Sequence, residues 1–96
     1  MPLSKDITTY EDLRPHLDAA LESPNGVAIE TPTQGQATYL RHRLYAFRVL
    51  DRKASMELYE VGDPRRGRSV YDTLNFSCEG ARVEIRHSAP LKVYNL

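Results

Sequence analysis

Tryptophan is absent from this chain of 96 residues, and cysteine occurs once, at Cys78. One thiol excludes an internal disulfide framework and any cysteine-rich zinc site, and it points to a reducing, intracellular setting. Long apolar runs are missing too. No stretch approaches the roughly 20 apolar residues of a membrane span, and nothing near the start has the charged head and apolar core of a signal peptide. A cytoplasmic protein without membrane contact is expected. There is no internal repeat and no low-complexity tract. His16, His42 and His87 stand at no metal-type spacing, no serine lies in a nucleophile elbow, and neither the Walker nor the dinucleotide glycine pattern occurs. The reading is therefore a non-enzyme, with no catalytic residue, no metal and no cofactor.

Net charge is the last thing lacking, since 13 basic residues balance 13 acidic ones. The balance is not local. Residues 1 to 32 carry Lys5 and Arg14 against six carboxylates, and residues 33 to 54 carry Arg41, Arg43, Arg48, Arg52 and Lys53 against Asp51 alone. The chain is dipolar, and local potential rather than total charge attracts a partner. A composition 41% hydrophobic and 27% charged is that of an ordinary folded domain. Its length suits one domain over 1–96, and in a domain this small dimerisation is an easy way to gain buried area.

Thr8 or Thr9 caps a first helix, with Glu11 and Asp12 in its first turn and Leu13, Leu17, Ala20 and Leu21 on one face. Ser23 to Gly26, "SPNG", ends it, and "GVAIE" alternates as a short strand. Overlapping capping boxes from Thr31 and Thr33 start a second helix with a core stripe of Ala37, Leu40, Leu44, Phe47 and Ala54. On the helical wheel, Thr38, Arg41, Tyr45, Arg48 and Arg52 fall on an adjoining arc. Met56 to Val61 fits either a continued helix or a strand and is read as a strand. "GDPRRGR" is a turn. "SVYDTLNFS", with Val70, Leu74 and Phe76 inward, and "RVEIRH", with Val83, Ile85 and His87 inward, form an antiparallel hairpin. The tail "APLKVYNL" reads as an edge strand or an arm to a partner subunit. The expected fold is α+β, two helices packed on a small, mostly antiparallel sheet in the order α-β-α-β-β-β.

Arginines along a rigid helix can neutralise several phosphates and release their counterions, while tyrosines stack on bases or donate to phosphate oxygens. Arg41, Arg43, Tyr45, Arg48 and Arg52, extended by Arg65, Arg66 and Arg68 of the turn, are thus the expected DNA-binding residues. Contacts would be mainly to the backbone, with double-stranded DNA slightly preferred. The competing reading is a solvated face paired with the acidic first helix or with Asp51. Gly35, in the second helix's first turn, is a weaker phosphate signal. Asp72 breaks the apolar alternation of its strand, and a salt bridge to an arginine of the second helix would satisfy it. Two other functions stay open. One is a protein-interaction module, since arginine and tyrosine are enriched at hot spots. The other is a metal-dependent nuclease built on Asp72, Glu84 and Arg86.

The string "GQATYLRHRLYAFR", followed by "GRSVYDTLNF" and "RVEIR", resembles a family of small hypothetical proteins of tailed bacteriophages. Ala37, Leu40, Arg41, Arg43, Tyr45 and Arg48, then Gly67, Arg68, Ser69, Tyr71 and Asp72, carry the resemblance, which spans Gln34 to Arg86. It implies a phage accessory protein acting in the bacterial cytoplasm on DNA during replication or takeover of the host; for the interaction-module reading, the partner would be a host or phage protein.

Overall fold

A computed structural model describes residues 6–88 of the chain. A 3-10 helix over Ile7–Leu13 runs directly into α1, Arg14–Glu22; β1 is Val27–Glu30, α2 is Gln34–Leu58, and β2, Leu74–Glu79, turns into β3, Arg82–His87. The strands form one antiparallel sheet in the order β1-β3-β2. The expected α+β class and its helix-on-sheet layering are what the chain adopts. The tail "APLKVYNL" lies outside the described residues.

Alternation places the sheet's inner side chains. Val27 and Ile29 pair with Ile85 and Val83 on one side of β3, and Phe76 and Cys78 pair with the same two residues on the other. Val83, Ile85, Leu74 and Phe76 are buried, while Asn75, Ser77, Arg82 and Arg86 face solvent. Against the buried face lie Leu13, Leu17 and Ala20 of the first helical layer and Ala37, Leu44 and Phe47 of α2. Fully burying a side chain the size of leucine or phenylalanine contributes about 1.5–3 kcal/mol, so this cluster is the main source of stability.

Local signals explain most boundaries. Thr33 is the N-cap of α2, accepting from Gln36 N at 3.1 Å. At the first helix the cap is Asp6, whose carboxylate accepts from Thr8 N, and neither Thr8 nor Thr9 takes that place. Gly26 sits at φ +76°, and a Cβ there would lie 2.0 Å from Ile85 O, so the turn into β1 requires glycine.

Further expectations are corrected: Ala54, expected on the core stripe of the second helix, is exposed. Met56 to Val61 is not a strand: α2 continues to Leu58 and Tyr59 ends it in extended conformation. Leu58 and Val61 extended the apolar pattern of the sequence without entering the core, at 74% and 85% exposed. The hairpin's first strand begins at Leu74 rather than Ser69, with Val70 out in solvent and Tyr71 in the core. A local cap accounts for this shift. Ser69 N donates to Asp72 Oδ2 and Tyr71 N to Ser69 Oγ, both at 3.1 Å, closing a capping box around a single turn. Finally His87, expected inward, is exposed and its Nε2 lies 3.1 Å from Ser23 O.

A candidate docking cleft beside the arginine helix

Among the described residues the sheet order leaves β2 at an edge, with the carbonyls of Leu74 and Phe76 directed away from β3. The arginines of α2 reach that edge. Arg48 Nη1 donates to Leu74 O at 2.6 Å and to Tyr71 O at 3.3 Å; Arg41 Nε donates to Phe76 O at 3.1 Å, and Tyr45 OH to the same oxygen at 3.4 Å. Arg48 also stacks its guanidinium 4.7 Å over the Phe76 ring, whose edge meets Tyr45 at 5.1 Å between centroids. Burial, reinforced by Arg52 nearby, pulls the Arg48 pKa below the usual arginine value. An unpaired strand edge invites another chain, and bulky charged groups bonded to its carbonyls obstruct such pairing.

The other arginines of α2 are engaged as well. Arg43 Nη2 forms a 2.7 Å ion pair with Asp12, holding that carboxyl below its usual range, and its guanidinium lies over Tyr10. The acidic N-terminal segment therefore covers the basic helix at one position. Arg52 Nε meets Asp72 Oδ1 at 2.7 Å, the salt bridge that Asp72 was expected to need. In the turn, Arg65 is bound to Asp63, which it holds down to about 2, and stacks 4.1 Å over Tyr59. Arg66 and Arg68 carry no side-chain partner among the described residues. Of the eight residues expected to read DNA, six bind inside the chain.

Asp72 and Glu84 serve separate interactions. Asp72 holds Arg52 and Ser69, and Glu84 lies between Arg82 and Arg86 on the solvent face of β3. Among the described residues no cluster of three histidine, cysteine or carboxylate side chains is placed to hold a metal ion.

A cleft of about 530 Å³ opens between the last turns of α2 and the segment 64–70. The same contacts that shape the loop create it. Gly67 N donates to Ser55 Oγ at 2.8 Å, Ser69 Oγ to Asp51 Oδ2 at 2.5 Å, and Arg52 holds Asp72, so the loop is fastened to one side of the helix. Ala54, Leu58, Pro64 and Val70 supply apolar walls, with Leu58 and Val70 74% and 69% exposed. Arg14, Asp51, Ser69 and Arg68 supply polar groups. Arg14 is bound to Glu11 and reaches the Tyr71 hydroxyl, which in turn donates to Asp18 at 2.6 Å. Burial and that last bond push the Tyr71 pKa up to about 12.

Sequence reasoning missed the cleft because it read Ser69 to Thr73 as strand and counted Val70 toward the core. The Ser-x-x-Asp spacing at Ser69 and Asp72 was the available signal, since it marks a helical turn rather than a strand. No family model, curated protein or solved structure matches the chain. Among the described residues no helix is long and apolar enough to cross a membrane.

Proposed function

We propose that the chain is a protein-interaction module whose docking face is the cleft between α2 and segment 64–70. The observation that carries this reading is the exposure of Leu58 and Val70 on opposite walls of one concavity. Large apolar side chains around a fixed cleft mark a binding surface more often than an ordinary solvated one. In the setting implied by the resemblance to tailed-phage proteins, the partner would be a host or phage protein of the bacterial cytoplasm.

The test is selection of random peptides displayed against the full chain, followed by counter-selection on Val70→Asp. Sequences that survive on the native chain and are lost on the variant support the cleft. Identical recovery from both chains refutes it. DNA binding is a second reading, favoured by the guanidinium groups of Arg66 and Arg68, which have no side-chain partner among the described residues. It predicts a mobility shift that weakens with salt and disappears in Arg66→Ala/Arg68→Ala.

A further inference from the structure

Resting on the docking reading above, we infer that the cleft receives an acidic segment of a partner protein, which seats large apolar side chains against Leu58 and Val70 and a carboxylate on Arg68. The two walls differ in chemistry. The helix contributes Ala54 and Leu58 with Asp51 and Ser55, whereas the loop contributes Arg65 and Arg68 beside Pro64 and Val70. Within the loop Asp63 is paired with Arg65 through two hydrogen bonds from the guanidinium, so its charge is already offset there. Arg14 is paired with Glu11 and bonded to the Tyr71 hydroxyl, and Asp51, the acid among the lining residues, accepts from the Ser69 hydroxyl. Among the described residues, the lining cation left without a side-chain partner is Arg68, with Arg66 two residues away in the same condition. A carboxylate gives such a guanidinium a bidentate partner.

The apolar wall argues for a peptide over a nucleic acid. Phosphates would engage Arg66 and Arg68 equally well with Val70 absent, whereas a peptide gains its anchor energy from the apolar contacts and its orientation from the charge. Val70 is 69% exposed and makes no core contact, so Val70→Asp leaves the fold intact, which circular dichroism checks.

Sequencing of the peptides selected on the full chain and lost on Val70→Asp reads the inference directly. Net acidic sequences with two or more large apolar residues are expected. A labelled member of that set, followed by fluorescence anisotropy, should weaken about tenfold on Arg68→Glu and by a similar factor when its acidic residues are exchanged for lysine. Neutral or basic sequences that still require Val70 would leave the docking reading standing and overturn the acidic partner. No Val70-dependent enrichment would remove both. Short duplex DNA that binds the native chain and Val70→Asp alike, and is lost on Arg68→Glu, would assign the arginines to phosphate and overturn the inference. So would a dimer in sedimentation that Val70→Asp dissolves, because the occupant would then be a second copy.

Discussion

Replacing Arg48 with alanine separates a structural arginine from a ligand-reading one before any ligand is known. The guanidinium donates at 2.6 Å to Leu74 O, donates more weakly to Tyr71 O, and lies 4.7 Å over the Phe76 ring. A hydrogen bond involving a charged group contributes about 1.5–3 kcal/mol, and a cation over an aromatic face adds about 0.5–1 kcal/mol, which puts the loss near 3 kcal/mol. In a domain of this size that corresponds to a fall in Tm on the order of 10–20 °C. Thermal and urea denaturation of the purified chain read it, with Lys53→Ala as control because Lys53 is exposed and has no side-chain partner among the described residues. The control should stay within about 0.5 kcal/mol of the native chain. An Arg48→Ala variant as stable as Lys53→Ala would refute the edge-capping role and return the arginine to the solvated face of the helix. One practical consequence is that substitutions at Arg41 or Arg48 test folding before they test binding.

Other perturbations probe separate contacts. Gly26→Ala should cost at least about 2 kcal/mol by urea denaturation, from the left-handed φ and the collision with Ile85 O. Gly35→Ala should stabilise by about 0.5–1 kcal/mol, since the nearest heavy atom to the added methyl is Thr33 Oγ1 at 4.0 Å. A Gly35→Ala variant less stable than the native chain would show that this glycine has a role the packing does not reveal. Asp72→Ala removes the acceptor for Ser69 N and the partner of Arg52. The half-exposed ion pair contributes little, so the capping loss of about 1–2 kcal/mol dominates, and hydrogen exchange should quicken across residues 67–73. Unchanged exchange there would mean the loop is held by other means. Tyr71 has the pH signature: its phenol is neutral in both states below pH 10, and between 10 and about 12 the unfolded chain loses the proton that the folded chain keeps. Stability should therefore fall with rising pH in that window, and Tyr71→Phe should flatten the slope.

Local chemistry was legible without the fold. The Thr33 cap, the stripe of Ala37, Leu44 and Phe47, the glycine turn at Gly26 and the alternation of Val83 and Ile85 all depend on neighbours within one turn or along one strand. These are short-range sterics and periodic burial, which sequence spacing encodes directly. The pairing of Asp72 with an arginine of the second helix was expected too, but from a strand alternation that the turn at Ser69 replaces, where Asp72 is part-exposed and also accepts from Ser69 N. What the arginines do was not readable. On the wheel, Arg41, Arg48 and Arg52 form a basic arc beside the core stripe, and the same arc fits a phosphate surface or a clasp on a strand edge. Only the sheet order decided between those arrangements, by placing β2 at the edge beside α2 with two carbonyls within reach. The cleft was decided at the same level, since Leu58 and Val70 stand twelve residues apart and share a concavity only because Ser55, Asp51 and Arg52 fasten the intervening loop to the helix.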